Sequence, residues 1–387
     1  MNSFRVLTLT FLLFASNAFA QSLPPQFFGI DVLHATNGTP WPSQPYAGIR
    51  LWDTDDTGWP QLNPSRGKYN WTALDQWLTL ARKHNVDVLY TFGRVPAWAN
   101  SGKGQSVPPT DLADWDSFVR AIVTHSKGRI KFWEVWNEPN EPKFWTGDIP
   151  TLVTMAQHAQ QIIKSIDPSA IVLTPSATWT TTSPAQWFDQ YFAAGGGQCA
   201  DAIAFHGYVG PSPEGIVSNL QQIWSVAAKH SINKPIWNTE GSWGIDANLS
   251  DPTAQANFLA RYYILQVSQG VQRFYWYAWD GSDGGKTAAT ESWGTLWDSS
   301  GTRPAAAAYG TVHNWLLTAQ LPLVCNANNS VWQCTLNSQS LIVWNPSAQQ
   351  DFQADPKFTR YSDLSGQSHP IAGNHVVSIG PAPILLQ

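Results

Sequence analysis

From Phe27 to Gln320 the chain alternates short apolar runs with stretches of helical periodicity, and this alternation limits the fold more than any other feature. The apolar runs are Phe28–Leu33, Gly48–Trp52, Val86–Phe92, Ile130–Asn137, Ile171–Thr174, Ala202–Tyr208, Pro235–Glu240 and Phe274–Trp279, eight candidate strands. Between them, Leu74, Trp77, Leu78 and Ala81 repeat at the spacing of one helix face. Asp251-Pro252 supplies a cap and a first-turn proline, and Gly270 a stop, which predicts a helix over 252–269. Further helices fit 72–84, 111–126, 151–165, 215–230 and 303–319. Strand–helix alternation repeated eight times predicts a parallel (β/α)8 TIM barrel with its helices outside. An open doubly wound sheet is the alternative, and counting strands does not separate the two.

The ends of the chain read differently. Arg5, the apolar run Val6–Ala15 and Ala18-Phe19-Ala20 have the form of a secretory signal, with cleavage expected before Gln21. The run is too short for a membrane span, which needs about 20 residues. The expectation is an exported protein, extracellular or periplasmic, with no membrane attachment after cleavage. After Leu321 short β-like runs lie between Asn, Ser, Gly and Pro: Val331–Leu336, Ser340–Trp344, Thr359–Ser362, Val376–Ile379 and Ile384–Leu386. The expected organisation is therefore a leader over 1–20, a barrel over 21–320 and a small antiparallel, sandwich-like β module over 321–387. A module of that size is marginal alone and should pack on the barrel. Cys325 and Cys334 are close enough to clamp a hairpin, and export permits a disulfide. Cys199 is then a lone thiol.

Composition excludes several classes. The 387 residues carry 13% charged side chains and a net charge of −5, which becomes −6 without the leader's Arg5. Without a basic excess, nucleic acid is not the main ligand. The 22 Trp suggest stacking surfaces or a Trp-rich core. The nine His form no H-E-x-x-H or other metal-ligand spacing, and G-x-S-x-G is absent. The Gly281–Thr287 loop only superficially resembles a phosphate loop, because Asp280 stands where the motif needs glycine.

Two acidic motifs carry the chemistry. Trp136-Asn137-Glu138-Pro139 ends the fourth strand and Thr239-Glu240-Gly241 the seventh. Catalytic groups of such barrels sit at the carboxyl ends of strands, and strands four and seven face each other across the mouth. Two carboxylates there meet the need of glycoside hydrolysis, an acid for the leaving oxygen and a partner for the anomeric carbon. Glu134, deeper on the fourth strand, is expected to be a barrel-interior group that needs a partner.

The W-N-E-P motif with a second Glu on strand seven resembles glycoside hydrolase clan A, the retaining barrels, and in particular its family 39-like members. Arg50 at the end of strand two, the Trp59–Asp75 stretch, Ala204-Phe205-His206-Gly207-Tyr208 and Trp276-Tyr277-Ala278-Trp279 extend the likeness over 27–320. The resemblance implies Glu138 as general acid/base and Glu240 as nucleophile of a double displacement, without metal or organic cofactor. It further implies that Asn137 binds the sugar 2-hydroxyl and that Arg50 keeps Glu240 ionised. His206 and Tyr208 would hydrogen-bond near the nucleophile, and Trp279 would form a stacking floor. Trp52, Trp98, Trp179 and Trp243 lie near strand ends and are candidate subsite rings. The implied partner is a carbohydrate, β-linked, in an oligo- or polysaccharide, with no obligate protein partner; abundant Trp leans toward an open cleft and endo action. A transglycosylase using the same pair, or a silent carbohydrate-binding barrel, are the alternatives.

Overall fold

The computed structural model describes residues 21–179, 182–244, 249–281 and 293–387. The signal-like segment and most of the Gly281–Thr287 loop lie outside the described residues. Eight parallel strands form the barrel: β1 (Phe28–Asp31), β2 (Gly48–Leu51), β3 (Asp87–Thr91), β4 (Phe132–Glu134), β5 (Ile171–Leu173), β6 (Ile203–His206), β7 (Ile236–Gly241) and β8 (Val271–Trp276). Each pairs with its sequence neighbour, and β8 returns to β1. Bridges Leu173↔Ala202 and Ala177↔Phe205 close the ring between β5 and β6. A closed ring settles the choice between barrel and open sheet.

Helices α1 (Thr72–Lys83), α2 (Leu112–Ser126), α3 (Ile149–Ile166), α4 (Pro184–Ala193), α5 (Gly215–Lys229), α6 (Pro252–Ser268) and α7 (Pro304–Leu317) surround the sheet. The α1 stripe Leu74, Trp77, Leu78 and Ala81 is buried, as its spacing requires. Asp251 caps α6 by accepting from the Ala254 N–H at 2.7 Å. The alternation is incomplete in one place: the β1–β2 link, residues 32–47, contains no helix. Pro40, Pro42 and Pro45 interrupt it and it lacks helical periodicity.

Past α7 the chain builds antiparallel sheet. Strands β9 (Val324–Asn328), β10 (Val331–Asn337), β11 (Ser340–Trp344), β13 (Arg360–Ser362), β14 (Ser368–Pro370) and β16 (Ile384–Leu386) form one sheet. Strands β12 (Gln350–Gln353) and β15 (Val376–Ile379) form a second. Val331, Val343, Phe358, Val377, Ile379 and Leu386 are buried together as the core of this module. Its other face adds Leu336, Ile342, Trp344 and Leu385 to the barrel's own hydrophobic core. The Trp344 indole N–H donates to Glu214 Oε1 at 3.0 Å, an oxygen that also accepts from Arg261 at 2.8 Å. Cys325 and Cys334 face each other across the β9–β10 hairpin and are bonded. Gln21–Ser22 pairs with Gln320–Leu321, so the start of the described chain is tied to the junction between barrel and module.

Candidate active site

The site grows from the carboxyl ends of the strands. The β4 ladder stops at Glu134, and Asn137 then forms a single bridge to Ser176. Glu138 follows in the left-handed region at φ 41°, which turns the chain just before Pro139. At β7 the ladder register shifts on both sides of Glu240, at Phe205/His206 and at Asn238/Gly241. Irregularities of this kind re-aim side chains next to active sites. Tyr262 braces the turn: its hydroxyl donates to Gly207 O, and a Cβ on Gly207 would lie 2.4 Å from that hydroxyl.

These turns bring two carboxylates and an imidazole together. One oxygen of Glu138, one of Glu240 and a ring nitrogen of His206 all lie within 4.8 Å of one another. Arg50, wholly buried, organises the group. Its Nη1 donates to Glu240 Oε2 at 2.7 Å, and its Nη2 to Glu134 Oε1 at 2.8 Å and Asn137 Oδ1 at 2.7 Å. Asp31 lies 3.4 Å from the same guanidinium. Glu134 also accepts from Thr91 and Ser176, so the interior partner it needs is Arg50 with two hydroxyls. The Tyr208 hydroxyl donates to Glu240 Oε1 at 2.6 Å.

Hydrogen bonding fixes the protons. Nη2 of Arg50 can only donate, so His206 Nε2, 3.2 Å away, presents its lone pair. The ring proton then sits on Nδ1 and is donated to Glu138 Oε1 at 2.7 Å. Burial pushes the His206 pKa down to about 4, which keeps the ring neutral. Burial pushes Glu138 up to about 7, against the pull of a Thr178 hydrogen bond and of Arg50. Burial also raises Glu240, but the Arg50 contact and the Tyr208 hydrogen bond favour its charged form. Because Asn137 Oδ1 is taken by Arg50, its NH2 group is left to donate to a ligand.

Two carboxylates and an imidazole could in principle ligate a metal. Here the Arg50 guanidinium already supplies the positive charge against Glu240 and His206, which disfavours a cation between them.

Glu138, Glu240, Arg50, Asn137, His206 and Tyr208 are thus brought together. Of the expected aromatic residues, Trp52, Trp243 and Trp279 are buried and present no open ring. Trp279 is 1% exposed and gives its indole N–H to Pro40 O at 2.7 Å, so it offers no open face; Tyr277, two residues earlier, bonds Asp53 and feels the charge of Glu240. Trp243 is buried against Phe258 and Trp276. Trp52 is buried beneath the Arg94 guanidinium, and Trp179 is half-buried, edge-on to Phe205. Trp98 is half-buried and bonded to Asn63 O. Much of the tryptophan is core: Trp59, Trp77, Trp115, Trp133, Trp136 and Trp276 are buried. The abundance of Trp therefore gives no support to an open cleft. The ring that sequence reasoning missed is Trp293, 44% exposed and edge-on to Tyr208 at 5.3 Å. It lies beyond the strand-end segments in which rings were sought.

A closed parallel barrel with two carboxylates on β4 and β7 defines a molecule of the glycoside hydrolase class. The chain belongs to the glycosyl hydrolase catalytic core family, whose model matches residues 67–309. A β-xylosidase of Geobacillus stearothermophilus is 26% identical over 162 residues, 38% of this chain and 32% of that protein. Endo-1,4-β-xylanase C of Phanerodontia chrysosporium is 30% identical over 123 residues, 29% of this chain and 30% of the other. The alignments thus span about a third of these curated relatives. The solved structure of a family 39 glycoside hydrolase from Bacteroides cellulosilyticus WH2 superposes with a TM-score of 0.74 at 18% identity, covering 94% of this chain and 80% of that one.

Proposed function

We propose that the chain is an exported, retaining glycoside hydrolase that cleaves β-linked sugars, with β-xylosidic bonds the first to test. The observation that carries this reading is that one oxygen of Glu138 and one of Glu240 lie within 4.8 Å of each other, so that the two carboxyl groups are neighbours across the mouth. Retaining enzymes hold their carboxyls about 5–5.5 Å apart, whereas inverting enzymes leave about 6.5–9.5 Å for a water. Glu240, held ionised by Arg50 and Tyr208, attacks the anomeric carbon. Glu138, held protonated by burial, gives its proton to the leaving oxygen. The ester on Glu240 then carries no charge, Glu138 gives up a proton more readily, and it draws one from the water that releases the sugar. Asn137 donates to the 2-hydroxyl, a contact that strengthens as the ring flattens in the transition state. The β-xylosidase and the endo-1,4-β-xylanase among the relatives support xylose as the sugar.

The test is hydrolysis of an aryl β-glycoside panel, xylan and xylo-oligosaccharides by wild type, Glu138→Ala and Glu240→Ala. Loss of turnover in both variants, with azide restoring Glu240→Ala and giving the inverted glycosyl azide, is the expected result. Turnover that survives removal of Glu240 refutes the nucleophile. Chain-length analysis of the products separates exo from endo cleavage, and product growth at high substrate separates a transglycosylase from a hydrolase.

A further inference from the structure

The mechanism leaves unused a second charged group at the barrel mouth. Asp53 follows β2, Arg94 follows β3 and Tyr277 follows β8. Arg94 Nη2 is paired with Asp53 Oδ1, and the Tyr277 hydroxyl donates to Asp53 Oδ2 at 3.1 Å. The Arg94 guanidinium lies over the Trp52 ring, 4.5 Å from its centroid. Both charged side chains are about one-third exposed.

This pair is held with more care than its stability value explains. Arg94 has φ 59°, a left-handed conformation that residues with a Cβ rarely adopt. Gly93 before it packs so closely that a Cβ there would lie 2.4 Å from the Trp52 ring. Partly exposed ion pairs contribute little to folding, so strained backbone maintained for one points to a ligand. Tyr277 ties the pair to the reaction centre, since its own N–H donates to Gly241 O at 3.1 Å, the residue after Glu240. Each Asp53 oxygen has accepted one protein hydrogen bond. A carboxylate has about four acceptor positions, so half remain.

We propose that Asp53, held by Arg94 and Tyr277, is a specificity-determining residue that accepts hydrogen bonds from hydroxyl groups of the sugar bound beside Glu240. The proposal rests on the glycosidase reading above. The ligand class is a neutral sugar with free hydroxyls on the ring face away from the scissile bond. A uronic acid is disfavoured, because Asp53 already neutralises Arg94 and would repel a second carboxylate.

The experiment compares kcat/KM of wild type, Asp53→Asn and Asp53→Ala on aryl β-glycosides, their monodeoxy analogues and the matching uronides, with melting curves for each protein. Wild type should lose about tenfold to a hundredfold on the analogue that lacks the contacted hydroxyl. Asp53→Ala should lose as much on the parent sugar and nothing further on that analogue, with its melting temperature nearly unchanged. In Asp53→Asn the alkaline limb of the pH profile should move to lower pH, because the Asp53 charge helps Glu138 keep its proton. Asp53→Ala with unchanged kcat/KM overturns the proposal, as does an equal loss on every analogue. Absence of turnover by wild type on every sugar instead overturns the glycosidase reading and takes the proposal with it.

Discussion

At the scale of the residue, the site is two carboxyls of one chemistry in two environments. Glu138 meets neutral His206 and a buried wall, whereas Glu240 meets a guanidinium and a phenol. Two limbs of the kcat/KM profile follow. Activity should fall as pH rises through about 7, where Glu138 loses its proton, and should rise with pH along an acid limb above 4.5, where Glu240 ionises. Stability carries the same signature. Glu138 binds its proton more tightly folded than unfolded, so its own contribution to stability falls as pH rises from 4.5 to about 7, while His206, depressed to about 4, contributes a rise of opposite sign up to 6.5. The loss amounts to roughly 3 kcal/mol at most. Chemical denaturation of wild type and Glu138→Gln across that window should show wild type losing that much stability relative to the variant as pH rises. Trp293→Ala should raise KM on oligosaccharides roughly three- to tenfold, in steady-state assays against an aryl glycoside control, because its exposed ring is offered to a sugar face. The carboxylates were legible because their motifs combine residue type with strand end. The rings were not, since a Trp at a strand end reads the same whether it faces the mouth, as a floor would, or the core, as Trp243 does.

Elements show where periodicity suffices and where it fails. The eight barrel strands are buried on both faces and their runs are continuous, so each appears in sequence within a few residues of its observed bounds. Helix α4 is expected from sequence only as a helix before Gly195 and without bounds, although Ser183, Pro184 and Gln186 spell a capping box that the structure forms. Its polar face, Gln186, Asp189 and Gln190, lies opposite the buried Trp187, Phe188, Tyr191 and Phe192, over less than three turns, too short for the period to stand out. Strands β9, β12 and β14 were missed because they are largely exposed and carry Asn, Gln and His rather than β-branched pairs. The bulged register at Glu240 lies beyond any periodic reading, because it depends on both neighbouring strands. The β9–β10 hairpin yields a prediction at this scale. Replacing both Cys325 and Cys334 by Ala should cost about 2–3 kcal/mol in denaturant titration, given the short loop they close, and leave kcat/KM unchanged.

At the scale of the whole molecule, the barrel and its C-terminal sheets share buried surface. Leu336, Ile342, Trp344 and Leu385 sit in the same apolar cluster as the barrel helices, and Trp344 reaches Glu214 before α5. A single calorimetric transition is therefore expected for the described chain. Truncation after Leu321 should leave a barrel that exposes this surface and aggregates, as size-exclusion chromatography would show. No helix among the described residues is long and apolar enough to cross a membrane. That the module packs was legible from its small size; which face it uses was not, because Trp332 and Trp344 could equally have served a ligand. Instead they stack on each other at 5.5 Å, and Trp344 is buried.

Below the barrel mouth the Arg50 guanidinium is set among three carboxylates, those of Asp31, Glu134 and Glu240. Among the described residues, Asp31 Oδ2 and Glu134 Oε2 find no hydrogen-bond partner. Buried ion clusters of this kind are often improved, as folding goes, by apolar replacements of equal volume. A thermostabilisation campaign scored on melting temperature would therefore be drawn to these positions early. Each gain there would alter the charge that Arg50 shares with the nucleophile. Selection for heat tolerance and selection for turnover would then pull the same side chains in opposite directions, and only a screen that reads both would keep the enzyme.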